Sequence, residues 1–328
     1  MRDCPVYRRA LGTLLFGIMA LLMTACSPDS TSDQRDNELS ATEQKTLTIA
    51  LVMKTLTNPF FVEMEKGARK AEQEFAIHLV VKTAAQETSI LQQIGIIESL
   101  IRDQVDAIVI APGDSIELIP VLKKAQEMGI TVINIDNQLD PDFSRKSDLQ
   151  DVPFISVDNR LAAYRSAKYI ADQITSPAKA LLMEGIRTAK NADMRMQGAM
   201  QAFRENPHIE LVASESANWK IDEGYHLMQQ WLATYPDVQL VFAANDMMAL
   251  GIIKAVGEAG RSDILIAGYD AIKEARQAID EGILQATIDQ QAAEQGYLGI
   301  QFAIRAINGE KLPQETLIDA LLITRDDH

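Results

Sequence analysis

LTIALVMKTLTNPFFVEMEKGARKAEQEF, residues 47–75, decides the architecture. Leu47–Met53 is a short apolar run rich in Ile and Val, the pattern of a strand buried on both faces. Asn58 then offers an N-cap, and Pro59 suits a first helical turn, where no N–H is needed. Met64, Ala68, Ala71 and Phe75 recur at helical spacing. Strand, short loop and helix open a parallel βαβ unit. In open α/β sheets ligands sit beyond the carboxyl ends of the strands. The loop in that place carries Lys54, Asn58, Phe60 and Phe61.

The alternation continues downstream. Strands are predicted at His78–Thr83, Asp106–Ala111, Thr131–Asp136, Lys179–Glu184, Glu210–Ala213, Gln239–Ala243, Ile264–Gly268 and Gln285–Ile288. Helices are predicted at Ser89–Asp103, Ser115–Met128, Arg160–Ile174, Asp193–Glu205, Asp222–Tyr235, Met247–Ala259, Ala271–Asp280 and Ala292–Ile307. This pattern specifies an α/β fold of parallel sheets flanked by helices. Gly129 and Gly260 stand where C-cap glycines end helices. The polar segment Asn137–Pro153, with Pro141 and Pro153, breaks the rhythm and reads as a connection between two α/β halves.

Ahead of the first strand the chain changes character. Met1–Ala25 has the form of a signal peptide, with Arg2, Arg8 and Arg9 before the apolar stretch Leu11–Met23 and a small-residue end at Thr24-Ala25. Leu22-Met23-Thr24-Ala25-Cys26 resembles a bacterial lipobox, with Met23 where leucine is usual, so Cys26 is the expected lipidation site. Residues 26–46 are polar and too poor in apolar side chains to fold, which suits a tether. Cys4 leaves with the leader, so the mature chain has no internal disulfide to form. The formal charge is −15, and −17 once the leader's three Arg and one Asp are removed. An acidic surface opposes nucleic-acid binding, which depends on neutralising phosphates.

The strand ends hold the chemistry. Asp136-Asn137, Asn245-Asp246, Tyr269-Asp270 and Gln290 each place hydrogen-bonding side chains at a carboxyl end. Asp246 reads as the cap of the helix that follows it. Carboxylates and amides match vicinal hydroxyls, while Phe60 and Trp219 offer flat apolar faces to the C–H side of a sugar ring. There is no G-x-S-x-G and no P-loop, the first βα loop lacks the glycines of a dinucleotide site, and the four histidines have no metal spacing. The expectation is a binding protein with no enzymatic activity, cofactor or metal.

At this point the chain resembles the periplasmic sugar-binding proteins of ABC importers, the ribose-binding group in particular. IALVMKTLTNPFF, DNQ at 136–138, VDN at 157–159, DVQLVFAANDMMALG, IAGYDA and ATIDQ carry the resemblance in order and spacing. It spans Leu47 to about Thr324. It implies two Rossmann-like domains joined by a three-segment hinge, the type I periplasmic binding protein fold. The first lobe would comprise 47–157 plus 291–319, and the second 158–290 plus 320–328. The implied ligand contacts are Lys54, Asn58, Phe60, Phe61, Asp136, Asn137, Asp193, Trp219, Asn245, Asp270 and Gln290, with Phe60 the more ligand-facing of its pair and Phe60 and Trp219 enclosing the ring from opposite lobes.

Three positions depart from the ribose-binding pattern. Lys54 stands for a serine, and Asn137 and Asp193 stand for arginines, the last on an ungapped register from Gly185 to Gly198. Tyr269 replaces a phenylalanine. Two lost guanidiniums and a net negative pocket predict a neutral or cationic ligand, such as a hexose, polyol or amino sugar, with ribose itself less favoured. The expected partners are that small molecule and an ABC permease, served by a lipid-anchored monomer on the periplasmic side of a bacterial membrane. The alternative is an extracytoplasmic sensor presenting its ligand to a membrane receptor.

Overall fold

The computed structural model describes residues 46–327, which form two six-stranded sheets with helices on their faces. The expected signal peptide, Cys26 and nearly all of the tether lie outside the described residues. In chain order the first half runs β1 (Thr48–Met53), α1 (Pro59–Phe75), β2 (His78–Thr83), α2 (Ile90–Arg102), β3 (Ala107–Ile110), α3 (Ile119–Glu127), β4 (Thr131–Ile135), α4 (Pro141–Lys146) and β5 (Phe154–Val157). The second half runs α5 (Asn159–Ala171), β6 (Ala178–Glu184), α6 (Lys190–Glu205), β7 (Ile209–Ser216), α7 (Ile221–Thr234), β8 (Val238–Ala243), α8 (Asp246–Glu258), β9 (Leu265–Ala267), α9 (Lys273–Asp280) and β10 (Ala286–Asp289). The chain then returns with α10 (Ala292–Ile307) and β11 (Glu315–Ile318) and ends on β12 (Leu321–Thr324).

The first sheet is wholly parallel, ordered β11-β5-β4-β3-β1-β2. The second is ordered β12-β10-β9-β8-β6-β7, with only β12 antiparallel to its neighbour. The chain passes between the sheets three times, from β5 to α5, from β10 to α10 and from β11 to β12. The expected strand–helix alternation is present, with boundaries shifted by a few residues. The segment Asn137–Pro153 is more ordered than a plain connection: Asp140 accepts a bond from Phe143 N at 2.7 Å and caps the short helix α4. The strands β5, β11 and β12 were not in the predicted set. Each is four residues long.

Core packing explains why β1 is apolar throughout. Ile49, Leu51 and Met53 face one hydrophobic cluster with Phe61, Met64 and Ala68 of α1. Ala50 and Val52 face another with Ile97 and Leu100 of α2 and Leu122 of α3. Successive residues point to opposite faces, so a strand covered on both sides has no polar position. The return helix α10 lies so close to α1 that a Cβ at Gly67 would stand 1.8 Å from the Ala293 carbonyl oxygen. Among the described residues, no helix is long and apolar enough to cross a membrane.

Candidate functional site

A small, narrow cavity lies between the carboxyl ends of the two sheets. The first half contributes Lys54, Asn58, Phe60, Phe61, Glu87 and Asp136, and the second Asn191, Arg195, Trp219, Asn245, Asp270 and Gln290. All are buried except Glu87, which is half-buried.

In the first half, the N-cap of α1 does two things at once. Asn58 Oδ1 accepts from Phe60 N at 3.0 Å, and its Nδ2 donates to Glu87 Oε1 at 3.1 Å. The cap therefore aims Phe60 and Phe61, whose rings meet edge-on with centroids 5.0 Å apart. Lys54 Nζ stands 2.8 Å from Asp136 Oδ2, 3.9 Å from Glu87 Oε2 and 5.5 Å from the Phe61 centroid. Burial pushes the Glu87 carboxyl above its ordinary range, against the pull of Lys54.

In the second half, Arg195 is the hub. Its Nε donates to Asn159 Oδ1 at 2.8 Å, Nη1 to the Ala244 carbonyl at 3.0 Å and Nη2 to Gln290 Oε1 at 3.3 Å. The guanidinium lies 3.7 Å from the Tyr269 ring centroid and 3.6 Å from Asp270 Oδ1. Gln290 Nε2 closes the circle by donating to Asp270 Oδ1 at 2.7 Å. Burial raises the Asp270 carboxyl well above its ordinary range, with Arg195 opposing and Asp246 and Glu87 adding to the rise. Tyr269 is raised by burial too, and its hydroxyl donates to Asn159 Oδ1 at 3.3 Å.

Trp219 is placed by a glycine. A Cβ on Gly185 would fall 2.1 Å from the indole, so only glycine there leaves the ring its space. Trp219, Asp136 and Asp270 all have left-handed or adjoining backbone, with φ of 66°, 63° and 122°. Such values are strained for bulky side chains and concentrate at ligand clamps. Among the described residues, three buried polar atoms of cavity residues have no hydrogen-bond partner in the protein: Asp136 Oδ2, which is ion-paired with Lys54, Asn191 Oδ1 and Trp219 Nε1.

Nine of the eleven residues singled out from the sequence line this cavity: Lys54, Asn58, Phe60, Phe61, Asp136, Trp219, Asn245, Asp270 and Gln290. Asp193 does not. It is exposed on α6, where it accepts from Gln197 Nε2 at 2.7 Å. Helical geometry turns the neighbours Asn191 and Arg195 inward instead, so a guanidinium is present after all, two residues along from where the ungapped register put one. Asn137 is fully buried, outside the cavity lining, with Nδ2 donating to the Pro112 carbonyl at 3.1 Å. Asn245, not Asp246, caps α8, accepting from Met248 N at 2.9 Å. Asp246 is buried and accepts from Tyr269 N at 2.9 Å, Ile272 N at 3.0 Å and Thr287 Oγ1 at 2.8 Å, which fixes the Asp270 loop. Burial pushes its carboxyl up to about 6.

Sequence reasoning missed Glu87, Asn191 and Arg195. For the last two a signal existed: they stand four apart, one helical turn, beside the small residues Ala192, Gly198 and Ala199. Glu87 sits in a loop between β2 and α2 with no periodicity to mark it.

The sequence pattern of the periplasmic binding protein domain matches residues 49–311. The chain belongs to the periplasmic binding protein family. It is 38% identical over 296 residues to a D-ribose/D-allose-binding protein of Pseudomonas aeruginosa, covering 89% of this chain and 91% of that one. A ribose import binding protein of Escherichia coli is 32% identical, over 85% and 90% of the two chains. A solved ABC transporter solute-binding protein of Actinobacillus succinogenes with bound D-allose superimposes with a TM-score of 0.81 at 35% identity, over 86% of this chain and 98% of that one. The family and the two-lobed type I fold are those expected from the sequence. Its members are solute-binding components of ABC importers and are not enzymes.

Proposed function

We propose that this protein captures one neutral monosaccharide, of the ribose or allose kind, between its two halves and delivers it to an ABC importer. The observation that carries this is the cavity lining: amides, carboxylates and two aromatic faces from opposite sheets converge on one narrow space between them. Unpaired Asn191 Oδ1 and Trp219 Nε1 are an acceptor and a donor ready for hydroxyls. A ligand drives closure only if it binds the closed state better than the open one, and contacts from both halves provide that difference.

The charge balance supports a neutral guest. Lys54 and Arg195 face Glu87, Asp136 and Asp270, one more carboxylate than cations, and burial favours the neutral form of Glu87 and Asp270. With Asp193 outside the cavity and Arg195 inside it, the net negative pocket expected from the sequence is replaced by a nearly balanced one. Of the neutral and cationic guests expected from the sequence, the neutral sugar is therefore favoured.

The lobes in this reading are 47–157 plus 291–319 and 158–290 plus 320–328, hinged at the three crossings. Export by the Met1–Ala25 leader and anchoring through a lipid on Cys26 complete it, with the protein acting as a monomer. Calorimetry against D-allose, D-ribose and a panel of hexoses and polyols tests the binding step. A true guest at a hundredfold excess over Kd adds about 2.7 kcal/mol of stability. No binding across the panel, or tight binding of gluconate or ribose 5-phosphate, overturns the reading.

A further inference from the structure

Helix α6 begins at Lys190 with Ala189 as its N-cap, and Ala189 has no side chain to cap with. A helix start leaves its first N–H groups without intrahelical partners. Here the other half of the molecule supplies them. Lys190 N donates to Ser115 Oγ at 3.0 Å and Asn191 N to Asn137 Oδ1 at 3.2 Å. Ser115 N donates back to the Thr188 carbonyl at 3.2 Å. Both side chains are buried. Asn137 is oriented for the task, because its Nδ2 is held by the Pro112 carbonyl at 3.1 Å and Ser115 Oγ at 3.3 Å.

Ser115 precedes α3 and Asn137 follows β4, both in the first half, whereas α6 belongs to the second. These bonds therefore exist only while the halves are together, and none involves a cavity atom of the guest's. The capping of α6 from across the cleft also holds Asn191 at the cavity, where its Nδ2 lies 3.4 Å from Asp136 Oδ1.

We infer that Ser115 and Asn137 form a closure latch, which raises affinity for the guest by stabilising the closed state without touching the guest. This rests on the capture-by-closure reading above. Intrinsic affinity is discounted by the fraction of protein in the competent state, so a latch strengthens binding of every guest by the same factor. Asn137 thus acts as a positioning residue, in a place where the resemblance implied a ligand contact.

The test is Asn137→Ala and Ser115→Ala in the purified protein, with titrations of D-allose and D-ribose and small-angle scattering with and without sugar. Loss of a cap predicts Kd weaker by about 3- to 30-fold. The loss falls on the dissociation rate, and the ratio of the two affinities stays as in the wild type. Without sugar, each variant has a larger radius of gyration than the wild type. Unchanged Kd, or an altered ratio between the sugars, overturns the latch. If wild type and variants bind neither sugar, the functional reading fails, and the latch is still decided by scattering: equal radii without sugar reject it.

Discussion

The two walls of the cavity are built differently. On the second half, Arg195 spends three donor nitrogens on Asn159, the Ala244 carbonyl and Gln290, and stacks on Tyr269. On the first half, Lys54 holds one carboxylate at 2.8 Å and a second only at 3.9 Å. A forked cation with fixed partners orders its wall before any guest arrives, whereas a flexible ammonium between two carboxylates leaves its wall adjustable. The difference teaches that one wall is a template and the other an adaptable lid.

Deleting each cation tests this most directly. Arg195→Met leaves Gln290 Oε1 and the Ala244 carbonyl buried without their donor and Asp270 without its countercharge. Breaking such a buried network costs roughly 3–5 kcal/mol, read as a lowered urea midpoint, with sugar binding lost. Lys54→Met leaves Asp136 its bond from Asn191 and Glu87 its bond from Asn58, so the expected cost is about 1–3 kcal/mol. Equal costs for the two variants would remove the contrast between the walls.

A smaller effect comes from Gly185→Ala. The added Cβ would meet the indole of Trp219 at 2.1 Å. Overpacking costs about 1–3 kcal/mol, and Trp219 is the group displaced, so Kd for D-allose rises by about 5- to 150-fold. Chemical denaturation of the sugar-free variant, in which the ring swings into an open cleft, should change less. A variant that binds normally would show that the template wall tolerates a moved tryptophan.

The carboxylates facing each other across the cleft predict a pH dependence. Glu87 from the first half and Asp270 from the second are each raised by burial, and Glu87 adds to the rise of Asp270, while Arg195 opposes both and Lys54 opposes at Glu87. Asp136 adds to the rise of Glu87. Opening returns both carboxyls towards water and their ordinary range. The closed state therefore holds protons more tightly than the open one. That contribution is present below the ordinary carboxylate pKa values of 4.5 and 3.8 and is lost as pH rises through the raised values. Calorimetry in buffers of different ionisation enthalpy should register proton uptake on sugar binding, and affinity should fall from mildly acid to neutral pH. Proton release would reverse the assignment.

What the sequence revealed also differs between the walls. Lys54, Asn58, Phe60 and Phe61 sit in one continuous stretch whose strand, cap and helix signals are local, so their convergence follows from one βα turn. Asp136, Asn245, Asp270 and Gln290 were legible because parallel strands gather their carboxyl ends on one edge. Arg195 was not, because its side chain is turned inward by the exact register of α6, and a displacement of two positions exchanges the buried face for the exposed one. Asn137 was misplaced for another reason. A strand-end amide serves a guest or a neighbouring helix equally well, and only tertiary contact decides between them.

That register argument has its own test, the one with the least expected effect. Asp193 lies in the first turn of α6, exposed, bonded to Gln197 and pointing away from the cavity that Asn191 and Arg195 enter. A carboxylate there interacts favourably with the helix dipole by about 0.3–1 kcal/mol, and that is all Asp193→Ala removes. The helix start is held from across the cleft by Ser115 and Asn137, so fraying of this turn is resisted even without the charge. The expected Kd for D-allose is therefore within about fivefold of the wild type, since 1.4 kcal/mol is needed for tenfold. A larger loss would mean that α6 rotates when the guest binds, bringing Asp193 inward and Arg195 out. In that event the second wall would be the adaptable one, and the contrast between template and lid would be inverted.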